Sequence, residues 1–210
     1  MLSKSKCLRE SKLYLILDAQ VNSHSELLDI LKKSVQGGVD IVQLRDKCGS
    51  ARDILDFSRK ALKITAGKVP YIINDRVDLA IMADADGVHL GQEDIPIALA
   101  RRMMKPDTII GVSCQTLAQA KAAQNDGADY IGFGSVFKTQ TKPGRSAMDL
   151  KLLESVACKV SIPMFAIGGI SRANIQVLLP LGVSRVAVCR DICESKNVKN
   201  AVQETKKILR

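Results

Sequence analysis

Eight short runs of β-branched and aliphatic residues, separated by stretches with a helical period, constrain this chain more than any other feature. The runs are LYLIL (13–17), IVQLR (41–45), YIIND (71–75), GVHLG (87–91), IIGVS (109–113), YIGFG (130–134), MFAIGGI (164–170) and RVAVC (185–189). Between them, Leu27, Leu28, Ile30, Leu31 and Val35 fall on one helical face, as do Ile54, Phe57, Ala61, Leu62 and Ile64. Leu117, Ala120 and Ala123 repeat the pattern before Gly127. Ser171 reads as the N-cap of a helix after the seventh run, and residues 198–209 close the chain as a helix.

Most of the runs do not alternate apolar with polar residues, as expected of parallel strands covered on both faces. Eight strand–helix units predict an α/β fold: one closed (β/α)8 TIM barrel of eight parallel strands, spanning residues 1–210 as a single domain. At 210 residues the chain is short for that architecture, so its loops must be short. An open flavodoxin-like sheet is the alternative, but it uses about five strands. The dinucleotide fingerprint is missing, because Gly132-Phe-Gly134 has no third glycine. With 46% apolar residues but only 3% aromatic ones, the core is expected to be Ile, Val, Leu and Ala.

A formal charge of +9 raises the question of nucleic acid. The basic residues are scattered, however, with loose concentrations at the two ends, and few aromatic rings are available to stack on bases. A solvated surface that attracts anionic metabolites is the expectation, with no nucleic-acid partner. The six cysteines form no CxxC pair and no Cys/His metal spacing, so most are expected to be buried thiols in a reducing compartment. The apolar run near the N-terminus is five residues long and ends at Asp18, too short for a signal sequence, and no segment could span a membrane. A cytoplasmic protein is expected, and a homo-oligomer is compatible with the reading.

In a barrel the C-terminal ends of the strands share one rim, where chemistry is done. Those ends are polar here: Gln43, Arg45 and Lys47 after the second run, Asn74 and Asp75 after the third, and Gln92, Glu93 and Asp94 after the fourth. Ser113 ends the fifth, KTQTKPGR (138–145) follows the sixth, Gly168-Gly169 ends the seventh, and Cys189 and Arg190 end the eighth. Arg45, Lys47 and Lys142 around one cavity would repel one another unless an anion, most naturally phosphate, binds between them. The glycine pair offers exposed backbone N–H groups for a phosphate at a helix start. Asp75 and Asp94 follow neighbouring strands and could converge on one metal; oxygen donors without thiolate or imidazole suit Mg2+. Read singly, each is equally a turn acid. His89, inside the fourth run, reads as a core or rim histidine rather than a base, and His24 reads as a loop residue without a partner. With neither a strong base nor a nucleophile in view, chemistry driven by a leaving group such as pyrophosphate is favoured.

At these residues the sequence resembles the thiamine-phosphate synthase family. The resemblance is carried by QLRDK (43–47), INDRVDLA (73–80), ADGVHLGQED (85–94), GVS (111–113), ADYIGFGSVFKTQTK (128–142) and IPMFAIGGI (162–170). It implies a (β/α)8 barrel transferase that joins hydroxymethylpyrimidine diphosphate to a thiazole phosphate and releases pyrophosphate by a dissociative route. By motif position, Gln43, Arg45, Lys47, Asn74, Ser113 and Lys142 would hold the pyrimidine diphosphate. Asp75 and Asp94 would hold Mg2+, and Thr139, Thr141, Gly169, Cys189 and Arg190 would meet the thiazole phosphate. Arg45, Lys47, Ser113 and Lys142 would carry the catalysis.

Two positions depart from the family pattern: Gln115 stands where relatives often have His, and Arg190 where they often have a small hydroxyl residue. A thiazole tautomerase is the nearest rival, but the resemblance gives that enzyme a His at position 115 and no second metal carboxylate. A sugar-phosphate isomerase or epimerase would need an acid/base pair that is not evident. A non-catalytic barrel that binds thiamine precursors as a regulator is the rival from another class.

Overall fold

The computed structural model describes residues 8–138 and 147–209. Its strands are β1 (Leu13–Asp18), β2 (Ile41–Arg45), β3 (Tyr71–Asn74), β4 (Gly87–Leu90), β5 (Ile109–Cys114), β6 (Tyr130–Phe133), β7 (Met164–Ile167) and β8 (Val186–Val188). Each pairs in parallel with the next, and β8 pairs back onto β1, closing the barrel. The helices are α1 (His24–Gly37), α2 (Ala51–Thr65), α3 (Val77–Met82), α4 (Ile97–Met103), α5 (Leu117–Asn125), α6 (Leu150–Lys159), α7 (Arg190–Cys193) and α8 (Val198–Ile208). The predicted TIM barrel is therefore the observed fold, and each expected strand lies where its run lies.

Two buried layers explain why the strands show so little polar alternation. Outward-facing residues such as Leu13, Leu15, Leu17, Val42, Leu44, Ile110 and Ile131 pack with the helices in a large aliphatic core. Inward-facing residues Tyr14, Ile16, Ile41, Ile72, Ile109, Tyr130, Phe165 and Ala187 form a second cluster inside the barrel. Alternation is real, but both faces meet apolar neighbours. Here the composition misled: the outer core is aliphatic as expected, whereas the interior is filled by three rings in edge-to-face contact. Tyr14 lies 5.6 Å from Tyr130 and 5.4 Å from Phe165, centroid to centroid. Gly111 makes room for this cluster, since a Cβ there would stand 2.0 Å from Tyr130 Cζ.

The element after β7 differs from expectation. It is a 3-10 helix, Ile175–Leu181, containing Pro180, and it starts after Asn174. Ser171 is not its cap: the Ser171 backbone N–H donates to Asn174 Oδ1 at 2.9 Å. Proline has no N–H to give and its ring crowds the preceding turn, so a regular α-helix is not maintained here. The thiols also divide differently: Cys114 and Cys193 are buried and Cys189 partly so, but Cys48 and Cys158 are exposed, and all five are free. Among the described residues no helix is long and apolar enough to cross a membrane.

Candidate active site

A cavity of about 340 Å³ opens at the C-terminal ends of the strands. Gln43 and Arg45 of β2, Asn74 of β3, His89 of β4 and Ser113 of β5 line one side. Gly168, Gly169, Cys189 and Arg190 line the other. Parallel pairing puts successive inward positions at similar depth, so polar residues from five separate chain segments reach one space.

Along its floor runs a chain of hydrogen bonds. Gln43 Nε2 donates to the Tyr14 hydroxyl at 2.6 Å, and the Tyr14 and Tyr130 hydroxyls are 2.7 Å apart. The Tyr130 hydroxyl is 2.9 Å from His89 Nδ1, and His89 Nε2 is 2.9 Å from Ser113 Oγ. The Tyr14 hydroxyl accepts from Gln43 and shares a hydroxyl hydrogen with Tyr130, whose oxygen also meets His89 Nδ1. His89 bridges the Tyr130 and Ser113 hydroxyls through its two ring nitrogens, so its tautomer sets which of the two hydroxyls donates to it. Burial raises Tyr14 above the ordinary phenol range, against the lowering effect of its bonds to Tyr130 and Gln43. Burial also raises Tyr130. Both stay protonated through neutral pH.

The cations are held by acids. Arg45 Nη1 donates to Asp18 Oδ2 at 2.8 Å and to Gln20 Oε1 at 3.0 Å, and Asp18 is fully buried. Lys47 pairs with Asp75. Arg190 pairs with Glu194 one turn later, and its Nε is buried without a partner among the described residues. Lys138 and Asp191 also line the cavity, Asp191 as the partner of Arg172 at 2.9 Å. Lys142, Thr139 and Thr141 lie outside the described residues.

Asp75 adopts a left-handed conformation, φ 61°, which an Asp tolerates better than most residues. Its N–H donates to His89 O at 2.8 Å, tying the end of β3 to β4. Asp94 accepts from the Gly91 N–H at 2.6 Å, which folds the loop after β4 back to the strand end. The two carboxyls thereby come together. Burial pushes Asp75 above the ordinary carboxylate range, Lys47 pulls it down, and the neighbouring Asp94 pushes it up again. Like-charged oxygens brought this close, beside a lysine, have the donor chemistry of a hard divalent cation. Among the described residues no three His, Cys, Asp or Glu side chains gather as a metal site. An ion here would therefore use two carboxylates and fill its shell with water and ligand oxygens, which suits Mg2+. Lys47, Asp75 and Asp94 stand just beyond Asn74 rather than on the cavity wall.

After β7 the chain turns through Gly168 (φ 105°) and Gly169 (φ 62°). A Cβ on Gly169 would lie 2.4 Å from Lys138 O, so the loops after β6 and β7 pack backbone to backbone here. This cradle borders the cavity without an α-helix N-terminus, contrary to the expected helix-start phosphate site. Gln115 is exposed and its backbone N–H bonds Gln119 Oε1 at 2.8 Å; it does not line the cavity.

Sequence reasoning missed Tyr14, Tyr130 and Asp18 and undervalued both histidines. A buried polar atom on a predicted strand facing a predicted rim is the signal that was available, since such an atom needs a partner. His24 does have one: its Nε2 lies 2.8 Å from Asp46 Oδ2.

A family model described as thiamine monophosphate synthase matches residues 13–192. The thiamine-phosphate synthase of Methanobrevibacter smithii is 43% identical over 192 residues, covering 90% of each chain. That of Halalkalibacterium halodurans is 38% identical over 205 residues, covering 96% of this chain and 97% of its own. The structure of thiamine phosphate pyrophosphorylase from Pyrococcus furiosus superposes with a TM-score of 0.86 at 33% identity, covering 98% of this chain and 96% of that one. A 3-hexulose-6-phosphate synthase, at 20% identity and TM-score 0.72, shares the fold. With matching extending over nearly the whole barrel, the chain belongs to the thiamine monophosphate synthase family, transferases of thiamine biosynthesis.

Proposed function

We propose that the chain transfers the hydroxymethylpyrimidine group from its diphosphate to the ring nitrogen of a thiazole phosphate, in an Mg2+-dependent, dissociative reaction. The observation that carries this reading is the convergence of Asp75 and Asp94 beside Lys47, next to a cavity whose floor is polar and aromatic. Gln43, Asn74 and the Ser113 hydroxyl orient the pyrimidine, and Arg45, Lys47 and Lys142 grip the diphosphate. By the resemblance, Gly169, Cys189, Arg190, Thr139 and Thr141 would contact the thiazole phosphate. Asp75 and Asp94 would hold Mg2+, which would supply charge neutralisation for the diphosphate.

The bond from the pyrimidine methylene to the diphosphate oxygen breaks, and its electron pair leaves with the diphosphate. The thiazole nitrogen lone pair then closes on the pyrimidinylmethyl cation, giving thiamine phosphate. No proton needs to be removed from carbon, so a cavity whose one histidine is committed to Tyr130 and Ser113 is adequate for this chemistry. Rate enhancement comes from positioning two substrates and from preorganised positive charge where negative charge develops.

The test is direct. Purified protein with both substrates and Mg2+ should form thiamine phosphate and pyrophosphate, and EDTA should stop the reaction. Absence of the coupled product under those conditions would overturn the reading.

A further inference from the structure

We infer that His24 and Asp46 form a clamp that positions the β2–α2 loop, and with it Lys47, for the diphosphate. Asp46 sits between Arg45 and Lys47, yet its side chain is 5% exposed and points into the loop rather than the cavity. One of its carboxylate oxygens holds local backbone and the other holds His24. Oδ1 accepts from the N–H groups of Cys48 at 3.1 Å and Gly49 at 2.7 Å, and Oδ2 accepts from His24 Nε2 at 2.8 Å. Although burial pushes it up, the bonds from Gly49, Cys48 and His24 hold the Asp46 carboxyl below its ordinary range, so it is an acceptor only and His24 is the donor.

Each end of the clamp is anchored. His24 is the first residue of α1, whose N-cap Ser23 and Glu26 form a reciprocal capping box. Its ring leans on buried Phe57 of α2, with centroids 5.1 Å apart. Glycine at position 49 lets the carboxylate sit against the loop, because a Cβ there would lie 2.1 Å from Asp46 Oδ2. Ser50 then caps α2 by accepting from the Asp53 N–H. The loop is thus tied at both ends, and in this arrangement Lys47 reaches across to Asp75. His24 touches no wall of the cavity and acts through the loop, which makes it a positioning residue.

The substrate side of this inference rests on the proposed function, whereas the ordering of the loop does not. His24→Phe keeps a ring against Phe57 and removes the bond to Asp46; His24→Gln can restore a donor. Loss of one hydrogen bond to a charged group predicts that His24→Phe raises KM for the pyrimidine diphosphate about tenfold. KM for the thiazole phosphate should stay at its wild-type value, and His24→Gln should recover most of the difference. In substrate-free protein, the Cys48 and Gly49 amides should exchange with deuterium faster in His24→Phe than in wild type. Unchanged exchange at these amides would overturn the clamp whatever the enzyme's substrates are. An equal rise in both KM values would reduce His24 to a structural residue. If wild-type protein fails to couple the two substrates, the proposed function fails, and the exchange result still decides the clamp.

Discussion

Replacing Tyr14 by Phe removes one oxygen atom from inside the barrel and leaves its ring in place. The ring keeps its edge-to-face contacts with Tyr130 and Phe165, so no cavity larger than a hydroxyl opens. Two buried hydrogen bonds disappear: the one from Gln43 Nε2 at 2.6 Å and the one shared with Tyr130 at 2.7 Å. Tyr130 retains His89, but Gln43, only 2% exposed, is left with a donor and no partner. An orphaned buried polar group costs about 1–3 kcal/mol, and the phenol no longer has to be desolvated, so a net loss of about 2 kcal/mol is expected. For a domain of this size, about 2–4 °C per kcal/mol gives a Tm lower by about 4–8 °C. Differential scanning calorimetry and urea unfolding should agree on that loss, with the urea m-value unchanged. With its amide no longer held, Gln43 should also bind the pyrimidine less well, raising that substrate's KM about tenfold. A Tm within 1 °C or so of wild type, against the expected shift, would refute the argument, because the floor would then not be a continuous hydrogen-bonded chain.

Asp94→Ala should abolish coupling, by more than about 100-fold, while leaving urea stability close to wild type; equal loss of activity and stability would make Asp94 a turn residue. Asp18→Asn leaves the Arg45 guanidinium, 11% exposed, without its counter-charge, and thermal unfolding should report a loss of about 3 kcal/mol. Asp46 is held below its ordinary value of 3.8, so its contribution to stability is present above the unfolded-state value and is lost as pH falls through the folded one. The stability gap between wild type and Asp46→Asn, measured by urea titration, should therefore be constant at neutral pH and close on acidification below about pH 4.

Much of the barrel was legible because periodicity is a local property. Each strand run is long enough to name itself, and eight of them with helices between leave few topologies open. The rim residues followed for the same reason: once the strands are placed, their ends are placed. What local pattern could not supply was partnership. Asp18 and Arg45 are 27 positions apart, and Tyr14 and Tyr130 are 116 apart, so their contacts depend on barrel closure. The helix expected after β7 failed because the N-cap signal at Ser171 was weighed without Pro180, nine residues on.

Sequence by itself determined which residues reach the rim: Arg45, Lys47, Asn74, Asp75, Asp94 and Ser113 all follow from strand ends and motif spacing. It also determined that most of the strand runs lack polar alternation, and hence that helices surround the sheet. Only the tertiary structure decided what those rim groups do in one another's presence. It put Lys47 on Asp75, brought Asp94 close enough to raise its neighbour, and linked Gln43 to Ser113 through Tyr14, Tyr130 and His89. It also gave His24 the partner that a one-dimensional reading denied it. Side-chain type is written locally, but charge pairing, proton direction and carboxyl pKa depend on distances across the barrel. Those distances exist only once β8 has closed on β1.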